Sequence, residues 1–251
     1  IMSKYVALQF IGLVRGFKDE KVRNNIYNKL IKPLENQGYE VHIFWHTYDI
    51  EFDDIIHNVD KNKFNIKKIQ IDKDTEIQSF LENEFKLLNR YRFPPGWAKA
   101  ANVDTGTGSI VKNTYHQFGW FKNLYSLKKA TKLRHEYERN NNISYKWVIV
   151  TSGQMEPQNT IDNLNLLNNS YMYCPSYCTY GGLYNSFYLG NTEHLNYMGE
   201  FFDFMINNNF NNNYIDSEPV YGNYIKLKYK LSTSLNVRFH RVRYNGLIID
   251  H

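Results

Sequence analysis

Only two cysteines, Cys174 and Cys178, occur in 251 residues. Two are too few for a disulfide scaffold, and no other Cys joins them in a zinc-binding pattern. They read as buried free thiols of a reducing compartment. No apolar run is long enough to span a bilayer, and no signal peptide is visible. The expectation is therefore a cytoplasmic location with no membrane span. Lys and Arg never form a block, so the formal charge of +5 is spread along the chain. A spread charge permits an anionic small ligand and argues against nucleic acid as a partner. The G-x-S-x-G and H-E-x-x-H patterns are absent, as is any Cys/His pair at catalytic spacing. No internal repeat or domain boundary is visible, so residues 1–251 read as one domain. Ile1 before Met2 reads as a cloning remnant that leaves room for further domains in a longer protein.

Hydrophobic residues make up 42%, enough for a sizeable core, and the 21 Tyr and 16 Phe bring aromatics to 16%. Excess Tyr suits stacked polar ligands such as sugars and bases, because its ring is apolar and its hydroxyl can pair. An AT-rich genome would give the same excess. Lys4 to Leu13 and Tyr39 to Trp45 read as strands. Between them, Lys21 to Gln37 carries Val22, Ile26, Leu30 and Leu34 at helical spacing and stops at Gly38. A third strand is expected over Lys67 to Ile71, and helices over Asp74 to Tyr91 and Thr114 to Asn140. Phe93 to Trp97 reads as a break, and Ala101 to Val111 as a Gly/Thr-rich insertion. Lys146 to Thr151 is a nearly all-apolar strand, covered on both faces. Further along, the spacing predicts helices over Gln158 to Leu167, Glu193 to Met205 and Asp216 to Lys230. A short strand is expected over Tyr171 to Cys174, a polar loop over Asn207 to Asn213 and an antiparallel strand over Asn236 to Tyr244. Strand, helix, strand at these spacings gives an α/β fold with a mixed, mostly parallel sheet flanked by helices.

Five constellations can carry chemistry. Gly12-Leu-Val-Arg-Gly16 follows the first strand, where a glycine turn lets a ligand approach and Arg15 can fork onto a phosphate. It reads equally as a plain turn with a solvent-facing Arg. His46-Thr-Tyr-Asp49 closes the second strand, where open α/β sheets bind ligands. His46 is there either a ligand contact and proton carrier or a hydrogen-bonded structural residue. The strand at 146–151 ends in Thr151, Ser152, Gln154 and Glu156, a polar corner with one acid. Glu156 reads either as a working carboxylate or as a first-turn residue of the following helix. Tyr180 to Gly190 is a Gly- and Tyr-rich segment, either a sugar-stacking wall or a packed loop. Glu218 is either a general base or a helix-start carboxylate.

In order along the chain, these segments resemble a family of viral and bacterial glycosyltransferase-like proteins with a GT-A type fold. Phe10-Ile-Gly-Leu-Val-Arg15 is similar to its G-x-x-R opening, and His42-Ile-Phe-Trp-His-Thr-Tyr48 to its V-x-I-F-x-H-T-W strand. Tyr145 to Gln154 resembles its Y-D-x-V-I-x-x-R-x-D segment, and Tyr184 to Gly190 its N-D-x-F-x-x-G segment. Ser217-Glu218 resembles its S/H-E element, and Asn236 to Gly246 a closing strand and turn. The resemblance implies sugar transfer from a nucleotide-sugar donor to a glycan or protein acceptor. Gly12 and Arg15 would face the nucleotide, and His46, Tyr48, Ser152, Gln154 and Tyr184 would line the substrate site. Glu218 and Glu156 would be the catalytic acids. The family's Arg is Ser152 here, its Asp is Gln154, and Tyr184-Asn-Ser-Phe187 lacks the Asp of N-D-x-F. The acids that would hold Mn²⁺ or Mg²⁺ have no clear equivalent, so weak or no metal dependence is expected, with Mn²⁺ or Mg²⁺ left open as cofactors. Basic side chains such as Arg15 or Lys128, with helix amides, would balance the leaving diphosphate. The alternative is a degenerate, non-catalytic binding module. The Asn-rich composition suits a large DNA virus, which would place the protein in host cytoplasm or virion.

Overall fold

A computed structural model describes residues 4–13, 15–51, 59–60, 63–87, 111–177, 179, 182–207, 217–242 and 248–250. The expected break at 93–97, the insertion at 101–110, the loop at 208–213, Cys178 and the closing turn at 243–246 lie outside them. The first strand, β1 (Tyr5–Ile11), is followed by a 3-10 turn, Arg15–Lys18, and a helical run. That run is α1 (Glu20–Ile26), a π-helical turn Tyr27–Ile31, and α2 (Lys32–Asn36). The π turn sits just before Pro33, whose ring removes a donor and widens the local winding. Next come β2 (Glu40–Tyr48), β3 (Ile66–Asp72), α3 (Asp74–Leu87), the long α4 (Val111–Asn141) and β4 (Trp147–Ser152).

The main sheet has the order β3-β2-β1-β4, extended by β7 (Phe187–Gly190), β6 (Tyr171–Pro175) and β8 (Lys230–Leu235). β2, β1, β3 and β4 pair parallel, and β6 pairs parallel with β8. Only β7 runs against its neighbours. The α/β class with a mixed, mostly parallel, helix-flanked sheet is therefore as the sequence led us to expect. α4 covers one face of the sheet, where Gln9 Nε2 bonds Thr131 Oγ1 at 3.1 Å and Phe44 packs on Tyr137. The other face meets Phe17, which sits 4.4 Å from Trp45 and 5.0 Å from Phe10. Two covered faces explain why β1, β2 and β4 are buried almost throughout, with β1 and β4 mostly apolar and β2 carrying the buried polar residues His42, His46 and Thr47.

Three expectations are corrected. Gln158 to Leu167 is not a helix. Met155–Pro157 forms a strand, β5, paired antiparallel with β9 (Phe239–Val242), and Gln158 N continues the pairing to Arg238 O at 2.7 Å. Gln158 is thus held extended beside β9 and Ile161 N donates to Lys29 O at 2.9 Å, so the chain runs on without a helical ladder and only a 3-10 turn, Leu164–Leu166, follows. β9 also pairs with β10 (Ile248–Asp250), so the expected closing strand builds a second, three-stranded sheet. The helix expected over Glu193 to Met205 is two, α5 (Thr192–Gly199) and α6 (Phe201–Asn207). Gly199 packs against Thr131, where a Cβ would come within 2.8 Å of Cγ2. The last helix, α7, spans Ser217–Lys226, and Lys230 already belongs to β8.

Two outcomes follow from this core. Ile149 is fully buried in the central β4, whereas Leu166 is 82% exposed. In urea titrations, Ile149→Ala should lower the unfolding free energy by about 2–5 kcal/mol. Leu166→Ala should change it by less than about 0.5 kcal/mol. The second outcome concerns α5, whose N-cap Asn191 and buried His194 form a reciprocal capping box. His194 Nδ1 accepts there from Asn191 N at 3.3 Å. Burial lowers the His194 pKa from 6.5 to about 4, with Glu193 pulling weakly the other way. The unfolded chain thus binds that proton more readily, so the contribution is full above pH 6.5 and fades as the pH falls toward 4. Stability measured across that window should drop more steeply in the wild type than in His194→Gln.

Candidate functional site

The carboxyl ends of β1, β2 and β4 point the same way, because all three are parallel. In open α/β sheets such ends flank the ligand crevice. At the end of β1 the chain turns at Gly12 with φ +73°, a left-handed conformation that favours glycine. A Cβ there would run into Asn123 Oδ1 of α4. The next turn approaches the end of β4: Gly16 N donates to Gly153 O at 3.0 Å, and Gly153 N reaches back to Ile11 O at 3.4 Å. A Cβ on Gly16 would lie 2.8 Å from Gly153 O, so only glycine allows this approach without displacement. Of Arg15, the described part is its backbone, within the 3-10 turn.

At β4's end, Ser152 is half-buried and its Oγ accepts from Gln154 N at 3.3 Å. Gln154 is buried and its carbonyl accepts from Val242 N at 2.8 Å. Ser152 N donates to Ser186 O at 3.1 Å, which brings the loop before β7 to the same corner. That loop carries Tyr184, a buried ring 5.3 Å from Tyr177. It also meets α7, where Leu183 N donates to Glu218 O at 3.0 Å. Gly182 lies so close to Glu218 O and Gly222 that neither glycine leaves room for a side chain. Glu218 is therefore held at this end of the sheet, 6% exposed.

The end of β2 is a buried polar knot. His46, 0% exposed, places Nδ1 2.8 Å from Ser126 Oγ. Its Nε2 stands 3.3 Å from Asp72 Oδ2, within ion-pair reach but off the line of a good hydrogen bond. Asp72, at the end of β3, also accepts from Gln70 Nε2 at 2.8 Å and Tyr125 Oη at 2.9 Å, with Lys129 Nζ 3.8 Å away. Those contacts, His46 first and then Gln70 and Tyr125, hold Asp72 well below the usual carboxylate range against the cost of burial. Burial lowers the His46 pKa, partly opposed by Asp72. Tyr48 is buried and donates its hydroxyl to Lys122 O at 2.6 Å, and burial keeps the phenol protonated.

The structure thus gathers Gly12, Ser152, Gln154, Tyr184 and Glu218 at one end of the sheet, with His46 and Tyr48 behind them. It sets two sequence candidates apart. Lys128 Nζ pairs with Asp203 Oδ1 at 2.7 Å and lies over the Phe202 ring, on the α6 side of α4. Glu156 is 2% exposed in β5, opposite His240, and accepts from Asn25 Nδ2 at 2.5 Å. It is a strand residue, not a first-turn residue of a helix. Ser126, Asn123 and Asp72 were not singled out from the sequence. A Ser in a helix interior is a poor helix former unless it bonds elsewhere, and Asp72 closes a strand as His46 does. Those were the available signals.

The donor set at the corner does not fit a divalent cation. Ser152 and Gln154 are neutral, whereas hard cations take carboxylate oxygens. Among the described residues, no group of three or more His, Cys, Asp or Glu could hold a metal ion. An open groove of 470 Å³ lies at the opposite end of β4, lined by Ser144, Tyr145, Lys146, Asn169, Asn191, Thr192 and Glu193. Asn191 and Thr192 are already engaged there, bonding Asn169 O and Tyr145 O. Being far from the gathered residues, this groove is not where they would act. No helix among the described residues is long and apolar enough to cross a membrane.

No family model matches the chain, and no curated protein matches it. Among solved structures it is similar to the crystal structure of mouse xyloside xylosyltransferase 1 in its apo form. The identity is 10%, over 80% of this chain and 71% of that one, with a TM-score of 0.33. A likeness of that size decides neither fold family nor activity.

The Gly12 turn gives a direct test. Gly12→Ala should destabilise the protein by at least about 2 kcal/mol, from the left-handed backbone and the collision with Asn123 together. Adding Asn123→Ala should recover the steric part only. Thermal denaturation of both variants measures the split.

Proposed function

We propose that the chain is a glycosyltransferase of GT-A type that moves a sugar from a nucleotide-sugar donor to a glycan or protein acceptor. One observation carries the reading. The segments that resemble such enzymes, far apart in sequence, meet at the carboxyl ends of the parallel strands. The bonds Gly16 N to Gly153 O, Ser152 N to Ser186 O and Leu183 N to Glu218 O tie them together. In this reading the nucleotide lies over the Gly12 turn, with Arg15 on the diphosphate. Backbone amides and Arg15 balance the charge of the leaving group, as no metal-holding cluster is found among the described residues. Glu218 takes the proton of the acceptor hydroxyl. The host-cytoplasm or virion location and the large-virus source rest on composition and resemblance alone.

A second reading is favoured by burial. Glu156 and Glu218 are both buried, and Glu156 is engaged with Asn25. A binding module descended from a glycosyltransferase would keep the crevice and lose turnover. The two readings part on one experiment. Calorimetric titration with UDP-glucose, GDP-mannose and dTDP-glucose should give binding by at least one of them that survives EDTA, with slow donor hydrolysis. Arg15→Ala should weaken that binding about tenfold or more, the loss of one charge-assisted hydrogen-bond pair. Binding without hydrolysis supports the module, above all if Gln154→Asp with Mn²⁺ turns over. Failure of all three donors removes the nucleotide-sugar reading.

A further inference from the structure

Ser126 is a single hydroxyl with three neighbours. Gly12 N donates to its Oγ at 2.7 Å, His46 Nδ1 lies at 2.8 Å, and the His46 carbonyl oxygen lies at 3.0 Å. A hydroxyl has one proton, so it cannot serve both Nδ1 and the carbonyl. The other nitrogen of the same ring decides between them. Nε2 stands 3.3 Å from Asp72 Oδ2, off the line of a good hydrogen bond but well within reach of its charge. Asp72 already collects donors from Gln70 and Tyr125 and stands near the Lys129 ammonium. A carboxylate offers only lone pairs and negative charge, so a bare Nε2 would turn its own lone pair toward an anion from a ring that water does not reach, although Asp72 itself is part-exposed. The neutral ring therefore carries its proton on Nε2, and Nδ1 is left bare. The Ser126 hydroxyl then donates to Nδ1 while its oxygen accepts from Gly12 N.

We propose that Ser126 is a positioning residue that holds His46 in the Nε2–H tautomer and, through the same oxygen, pins Gly12, so that the ends of β1 and β2 form one rigid floor under the donor. The proposal rests on the donor site lying at that end of the sheet. The tautomer lock itself can be read without any donor. His46 touches no ligand in this account, being fully buried. It acts through the strand end that it steadies.

The test uses ¹⁵N-labelled full chain near pH 7.5. The His46 ring signals are the ones missing from His46→Gln. The wild type should show a bare Nδ1 and a protonated Nε2. A protonated Nδ1, or signals averaged between the two forms, would overturn the proposal before any variant is made. Asp72→Asn removes the anion that selects the tautomer and should move the ring toward the averaged form. Ser126→Ala should shift Nδ1 and weaken binding of whichever of UDP-glucose, GDP-mannose or dTDP-glucose binds the wild type about tenfold. Ser126→Thr keeps the hydroxyl and should restore both toward wild type. Unchanged Nδ1 shift and unchanged affinity in Ser126→Ala would refute the positioning role. If none of the three donors binds the wild type, the donor reading falls and the ring signals still decide the lock.

Discussion

The hydroxyl of Ser126 joins three elements that have no covalent reason to stay together. It sits on α4, takes the amide that ends β1 and touches the imidazole that ends β2. Each such bond contributes only about 1 kcal/mol net, yet each of these groups would cost more if buried without a partner. Burial therefore makes the arrangement specific. α4 cannot slide along the sheet without stranding Gly12 N and the His46 ring. The same helix fills the space over Gly12 with Asn123 and accepts the Tyr48 hydroxyl on Lys122 O. The crevice end of the sheet is thus shaped from below by one helix.

A second tie acts further along α4. Arg134 is wholly buried, with Nη1 2.6 Å from Glu138 Oε2 and Nη2 on Asn196 Oδ1 of α5. Thr192 of α5 adds a 3.4 Å contact to Glu138 and bonds Tyr145 O at 2.9 Å. A buried ion pair is weak evidence of net stability, but removing one partner strands a charge and is costly. It therefore fixes where α5 sits against α4 and β4. At the carboxyl ends of β1 and β2, ordering comes from hydroxyls and amides around Ser126, with the Asp72 carboxylate beside His46. At the far end of β4 it comes from a desolvated ion pair. The far groove has its polar groups drawn into this framework, which is why its volume alone does not make it a site.

The central strands β1 and β4 were legible from sequence because they are mostly apolar and covered on both faces, and α4 because its apolar spacing persists over many turns. Val148 to Val150 and Leu124, Leu127 and Ala130 are of this kind. The span 158–167 was misread as a helix because Gln158 N goes to Arg238 O and Ile161 N to Lys29 O, partners that lie far off in sequence. The same non-local pairing hid β8. At the candidate site, the strand-end rule found Gly12, His46 and Ser152. It missed Asp72 because the third strand was ended one residue early. Ser126 was invisible because its role depends on which helix face meets the strand ends. Lys128, two positions on, turns to Asp203 instead, since neighbours two apart on a helix face different ways.

In the proposed function, the carboxyl ends of β1 and β4, with the loop before β7, hold a nucleotide sugar. Hydrogen–deuterium exchange with and without UDP-glucose, GDP-mannose and dTDP-glucose tests it most directly. A bound donor should slow exchange at 12–17, 152–154 and 183–186 for at least one of the three, and leave 144–146 and 191–193 unchanged. Protection confined to 144–146 and 191–193, or no protection anywhere with every donor, would contradict it.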